Sequence, residues 1–344
     1  MKIAIHHTPG TFSNRWIEHC EQHGINYGIV NCHDNHIVDQ LKDYDALMWH
    51  YYHDNYKDSL LAKQLLYALE QADKVVFPNF YTNWHFDDKV GQKYLLELFE
   101  APLVPSYVFY DKAEAKRWAK DTSYPKVFKT RRGAASANVR LVKNNRECMR
   151  LIDRAFGKGF GQFDPSQAFA DRVRRFWETK NLLELVKGLA RFVSPPAYAR
   201  KAGRDRDYVY FQDYIPNNDF DIRLIVIGDR AYGMKRMVRS GDFRASGSGH
   251  FVYDDIEADV LRVGFDVTKR LKLQCAAYDF IYHDGRPLII EVSFGFGIKG
   301  SSKCTGYWDS ELKWHSGEFN PQGWMVDAVL EEVIRSKETR TIVE

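Results

Sequence analysis

The sequence predicts a mixed α/β protein of two or three lobes, and three features of the 344-residue chain carry that expectation. Short apolar runs alternate with amphipathic stretches over about the first eighty residues. The order of elements then changes around a small-residue loop with two arginines at its entrance. Near the C-terminus, a hairpin carries one acidic residue at the outer end of each strand.

Taken in order, residues 2–5, 27–30, 46–49 and 74–77 are short apolar strands, with helices over residues 16–22 and 59–69 between them. This is a small N-terminal α/β domain over residues 1–85. A helix beginning at Phe86 places Asp87, Asp88, Lys89 and Lys93 ahead of apolar positions Tyr94, Leu95, Leu98 and Phe99. Strands near residues 107–110, 125–130 and 138–142 surround the loop Arg131-Arg132-Gly133-Ala134-Ala135-Ser136-Ala137, of the kind that wraps phosphates. Residues 155–207 read as an insertion with a helix over 173–192, which closes a middle lobe over residues 86–207. The C-terminal lobe, residues 208–344, opens with the strand Tyr208-Val209-Tyr210-Phe211-Gln212-Asp213-Tyr214-Ile215, stopped by Pro216. Asp219-Phe220-Asp221-Ile222-Arg223 then starts a hairpin turned at Gly228-Asp229, whose return strand carries Lys235, Arg236 and Arg239. A polar loop containing Arg244 and an amphipathic helix over residues 256–271 lead into the acidic hairpin.

That hairpin concentrates the chemistry. Its apolar strands meet at Asp284-Gly285; if the loop is the three residues Asp284, Gly285 and Arg286, Asp279 lies opposite Glu291 on one face, with Cβ atoms roughly 5 Å apart. Two like charges so placed repel unless a hard divalent cation sits between them, and Ser293 on the same face offers a third oxygen. An ordinary hairpin with an exposed Asp and Glu is the other reading of these residues. Cations precede these anions along the chain, as phosphoryl transfer to a carboxylate requires.

Composition narrows the classes. With 49 basic and 46 acidic residues, a net charge of +3 and no long run of one sign, nothing points to a nucleic-acid or membrane surface. Five scattered cysteines without a CxxC pair suit a reducing compartment, and no apolar run reaches membrane-span length or makes a signal-peptide core. A cytoplasmic location is expected. His33-x-x-His36 and His50-x-x-His53 have a spacing a metal can use, but no cysteine or carboxylate set completes them, so local packing or hydrogen bonding is the expected role. Trp308, Trp314, His315 and Trp324 read either as a sugar-stacking platform or as packing for a C-terminal helix.

From Lys89 to about Glu332 the chain resembles the ATP-grasp ligases. The matching landmarks are Asp88-Lys89, Pro125-Lys126-Val127-Phe128-Lys129 before the small-residue loop, the Gln212 to Ile215 hinge followed by Asp221-Ile222-Arg223, Gly241-Asp242-Phe243-Arg244, and Asp279 with Glu291-Val292-Ser293. The Asp-Ile-Arg and Gly-Asp-Phe-Arg pieces are similar to the branch that adds glutamate to a ribosomal protein. The Cys304 to Trp308 and Phe319 to Met325 segments resemble ATP-grasp proteins of surface-polysaccharide biosynthesis. The resemblance implies an N-terminal pre-grasp domain and two α+β lobes that clasp ATP, with Mg2+ as cofactor and Mn2+ as a substitute. It implies Lys89, Lys129 and Ser136 on the nucleotide phosphates, Gln212, Asp213, Tyr214 and Ile215 on the adenine, and Asp219 or Asp221 on the ribose. Arg236 and Arg244, with Arg239 in reserve, would clamp the transferring phosphoryl group, and Asp279, Glu291 and Ser293 would hold metal. Ser293 and Gly295-Phe296-Gly297 depart from the family's usual Asn and Pro-Gly. The implied activity is carboxylate-amine ligation through an acyl phosphate. Its expected partners are a small carboxylate, for instance a nucleotide- or lipid-linked sugar acid, and an amine, and a homodimer is compatible with it. The alternatives are a peptide ligase, a glycosyltransferase using Asp219-x-Asp221 as a DxD, and a nucleotide-sensing module.

Overall fold

The computed structural model describes residues 1–52, 55–132, 138–165, 169, 172–173, 176, 181, 197–201, 203–238, 244–245, 249–301 and 303–343. Ser136 and Arg239, and most of the helix expected over residues 173–192, lie outside the described residues.

The N-terminal domain is a parallel four-stranded sheet in the order Tyr27–Val30, Ile3–His6, Ala46–Met48, Val75–Phe77. Both faces are covered, which is why its strands read as unbroken apolar runs. One face packs under the helix Tyr56–Gln71, started by the Asn55 side chain. The other packs under Phe12–His23 and the long C-terminal helix Pro321–Val343. The chain's last helix therefore returns to its first domain, and His19 Nε2 meets Asp327 Oδ1 at 2.8 Å across that contact.

The middle lobe is an antiparallel sheet in the order Ser106–Phe109, Val209–Asp213, Lys126–Lys129, Arg140–Val142. Strand Val209–Asp213, assigned above to the C-terminal lobe, is an inner strand here. The lobe boundary therefore falls after Asp213 and not at residue 207. Side chains alternate across Lys126–Lys129: Phe128 enters the core under Lys112–Asp121 and Asn145–Ala155, while Val127 and Lys129 face the opposite way. Within the expected insertion, Phe160–Gly161 pairs with Arg204–Asp205, so the Gly157 to Gly161 run ends in a small strand.

The C-terminal lobe is a larger sheet containing Arg286–Ser293, Cys275–His283, Phe220–Ile227, Arg230–Met237, Gly306–Asp309 and Trp314–Ser316 in that order, with Phe251–Tyr253 beside Arg230–Met237. One face carries Ile222, Leu224, Val226, Tyr278 and Phe280 onto the helix Ala258–Arg270. That helix lies close because Gly264 has no side chain; a Cβ there would stand 2.3 Å from Leu224 Cδ2. The aromatic C-terminal segment is packing: Trp308 and Trp314 are 4.5 Å apart, and Trp324 stacks on Phe319.

Candidate active site

The acidic hairpin turns on two residues, not three. Asp284 and Gly285 both have positive φ, 48° and 73°, and His283 pairs with Arg286, a turn matched to the twist of the strands. With that loop and regular pairing, Asp279 would oppose Ile290, and Glu291 would oppose Tyr278 on the face buried under the helix. A β-bulge prevents this. Phe280 pairs with Ile289 and Asp279 with Glu291, so Ile290 is the extra residue and Glu291 is swung onto the face of Asp279. The bulge also leaves Ile289 to bond Pro102 O and to accept from Val104 N, which ties the hairpin to the connection into the middle lobe. The sequence expectation of facing carboxylates holds, for a different geometric reason.

Cross-strand register then builds a row of charge. Asp221 opposes Arg236, Arg223 lies two residues on from Asp221 and opposes Asp279, and Asp279 opposes Glu291. Arg223 grips Asp279 with two bonds of 2.8 and 2.9 Å, and Arg236 reaches the same carboxylate at 2.7 Å while forking onto Asp221. Burial works to raise the Asp279 carboxyl, but the two guanidiniums outweigh it and hold the group well below the usual carboxylate range. Arg236 is therefore not exposed for a phosphate clamp, as the sequence expectation had it. Its side chain is only 5% accessible and serves to seat Asp279. Asp221 is likewise bound to Arg236, while Asp219, the other acid expected at a ribose, is exposed.

Glu291 is more open, its side chain one-third exposed, and its partner is Lys89 Nζ at 3.1 Å. Lys89 sits in the first turn of Lys89–Leu98, whose N-terminus is capped by Asp88. Gln92 on the next turn accepts from Val292 N, which docks the helix beside Glu291. Burial lowers the Lys89 ammonium's pKa, and Glu291, Asp87 and Asp88 together outweigh it to give a net rise. The basic entrance of the small-residue loop is tied back, Arg131 to Asp88 and Arg132 to Asp205.

Lys129 ends its strand facing the same space. Its ammonium donates to Gln212 Oε1 at 2.6 Å, and Gln212 Nε2 donates to Ser106 Oγ, which also receives the Tyr210 hydroxyl. Burial pushes the Lys129 pKa down to about 8, against the raising pull of Glu291. In the hinge, Asp213 holds Lys126 with its carboxylate, and its backbone N–H is taken by Pro105 O at 2.8 Å. Tyr214 and Ile215 follow on in the hinge and line the same cavity, with Ile215 O accepting from Asn218 Nδ2 at 3.4 Å. Ser293 Oγ donates to Gly295 O at 2.9 Å and accepts from Gly295 N, so its hydroxyl is engaged in a turn beyond the hairpin.

These groups line one cavity of about 710 Å³. It runs from the hinge, with Val127, Val139, Ile281 and Ile290 as apolar walls, past Lys129, Lys89 and the two carboxylates, to His50, Tyr52 and Phe86 of the N-terminal side. Arg244 lines it too. The donor set fits a hard divalent cation: two facing carboxylates, both lining the cavity and Glu291 the more exposed, with room for water and phosphate oxygens. The apolar slot beside the hinge fits a purine ring. Sequence reasoning missed three contributors. Arg223 stands in the sequence only as part of the Asp-Ile-Arg motif, Ser106 carries no local signal, and His50 carries none beyond packing or hydrogen bonding. In His33-x-x-His36, His33 meets Asp58 Oδ1 at 2.9 Å, and in His50-x-x-His53, His50 Nδ1 accepts from Phe12 N, so both first members are hydrogen-bonded within the protein. His53 lies outside the described residues.

A sheet lobe and a sheet-plus-hairpin lobe closing on one cavity behind an N-terminal α/β domain define the ATP-grasp fold. Residues 202–310 match the RimK-like ATP-grasp domain. Among solved structures, the chain is similar to a RimK-domain ATP-grasp protein of Sphaerobacter thermophilus, at TM-score 0.59 and 14% identity over 96% of this chain and 100% of that one. It is similar to the D-alanine–D-alanine ligase of Bacillus anthracis complexed with ATP, at TM-score 0.57 and 13% identity over 98% and 99% of the chains. The ATP-grasp ligase PsnB, complexed with minimal precursor, Mg and ADP, gives TM-score 0.54 and 13% identity over 96% and 98%. No curated protein matches the chain. Among the described residues, no helix is long and apolar enough to cross a membrane.

Proposed function

We propose that this protein is an ATP-dependent carboxylate-amine ligase. The observation that carries the reading is the meeting, in one cavity, of the facing Asp279 and Glu291 with Lys89, Lys129 and the hinge. In the reaction, a substrate carboxylate oxygen attacks the γ-phosphorus, the bond to the bridging oxygen breaks, and ADP leaves. An amine then attacks the acyl carbon, the bond to phosphate breaks, and the nitrogen loses a proton to give the amide. Bound by Asp279 and Glu291, Mg2+ would neutralise charge on the phosphate oxygens. Lys129, oriented by Gln212 and Ser106, would bind the phosphates; Lys89, beside Glu291, and Arg244, which lines the same cavity, would add cations toward them.

For the carboxylate we propose a uronic-acid sugar, on the similarity of the C-terminal segment to ATP-grasp proteins of polysaccharide biosynthesis, although the buried or partly buried aromatic rings of that segment pack on one another. The glycosyltransferase alternative loses ground because Asp221, half of its DxD, is bound to Arg236. The test is ADP release by the purified protein with ATP-Mg2+ and a matrix of uronic acids and UDP-uronic acids against amines. Turnover with at least one pair is expected. Turnover only with peptides would transfer the reading to a peptide ligase, and ATP binding without turnover under every pairing would make the protein a nucleotide-binding module.

A further inference from the structure

At the end of the cavity away from the hinge stands a histidine with one nitrogen unused. His50 is 2% exposed and lines the cavity. Its Nδ1 accepts from Phe12 N at 3.0 Å, and its ring stacks on Phe12 at 3.5 Å between centroids. Burial lowers its pKa to about 3, so the ring is neutral and, with Nδ1 occupied as an acceptor, the proton sits on Nε2. That N–H has no partner among the described residues, against the strong tendency of buried donors to be satisfied. Gly295 stands beside it: a Cβ there would lie 3.5 Å from Nε2 and 3.2 Å from Phe86 Cε2, so the glycine leaves the approach open. The neighbouring walls are Tyr52, Phe86 and Phe296, all rings.

Resting on the ligase reading, we infer that this end of the cavity holds the uncharged, ring-shaped, hydroxylated body of a substrate, with His50 Nε2–H donating to one of its oxygens. A donor with both nitrogens so fixed cannot serve as a base; His50 positions. A free amino acid is disfavoured, because aromatic walls and a neutral ring donor give its buried ammonium and carboxylate no counter-charge. The end therefore selects a sugar-like body over a zwitterion.

Binding of methyl β-D-glucopyranoside and of L-glutamate, each with ADP-Mg2+ present, can be followed by ligand-observed NMR, with ATP-Mg2+ affinity measured separately. The glucoside is expected to bind and glutamate not. Gly295→Ala, which leaves the His50 bond to Phe12 intact, should weaken the glucoside at least tenfold with ATP affinity unchanged. His50→Phe should do the same, and His50→Gln, which restores an amide donor, should recover part of the loss. Glutamate binding in preference, or glucoside binding indifferent to Gly295→Ala and His50→Gln, overturns the inference. Loss of ATP-Mg2+ binding in the wild type would instead overturn the ligase reading.

Discussion

The two ends of the cavity are built on opposite plans. At the hinge end, charge is dense and mutually held: Arg223 and Arg236 on Asp279, Lys89 on Glu291, Lys129 on Gln212. At the N-terminal end, the walls are aromatic and the His50 Nε2–H, on a neutral ring, has no partner among the described residues. The contrast teaches that the fold prepares the triphosphate side in advance, as electrostatic preorganisation requires, while shape and a single donor are left to recognise the other substrate.

Within the charged end, the two carboxylates differ, and the largest expected effect comes from breaking that difference. Glu291→Gln should abolish ADP formation, by 10³-fold or more, with the fold intact, since Gln can still accept from Lys89. Asp279→Asn should abolish activity too, but also destabilise the protein by about 3–5 kcal/mol, because two largely buried guanidiniums lose their counter-ion. Denaturant titration alongside an ADP assay checks both; equal stability of the two variants would show that Asp279 does not anchor the arginines. Chelation of divalent ions should remove ATP-dependent stabilisation in a thermal melt, and stabilisation that persists would displace the metal assignment.

Next in size, Lys129→Ala should weaken ATP on the order of 10- to 100-fold, about 1.4 to 2.8 kcal/mol. The low pKa of Lys129 adds a signature. Its ammonium is fully charged below about pH 8, so ATP affinity should fall as pH rises through that value, and the fall should flatten in Lys129→Arg. Stability moves the other way. The folded group binds fewer protons than the unfolded one between about pH 8 and the ordinary lysine pKa near 10.4, so that part of the stability rises with pH across the window. Calorimetric titrations from pH 7 to 9.5 measure the binding trend, and a pH-independent affinity would place Lys129 away from the phosphates. The smallest effect is expected for Ser106→Ala, which removes the acceptor of the Gln212 and Tyr210 bonds and should shift ATP affinity a few-fold, with turnover at saturating ATP nearly unchanged. A hundredfold loss would make Ser106 part of the binding surface itself.

Much of this molecule was legible from composition and pattern alone. Apolar runs against amphipathic stretches marked the N-terminal domain, Asp284-Gly285 marked the turn, and the succession of lysines, arginines and acids marked a nucleotide site, because period, turn chemistry and charge type are local properties of the chain. What sits opposite what is not local. The bulge at Ile290 decides that Glu291 faces the cavity and not the core; register across three strands converts Arg236 from a phosphate clamp into a counter-ion; pairing on both sides moves Val209–Asp213 into the middle lobe. Likewise the unused nitrogen of His50 exists only because Phe12, distant in sequence, occupies the other one. Hydrogen-bond partners and counter-charges come from contacts tens to hundreds of residues apart, so which groups are spent and which stay available was decided by the tertiary structure.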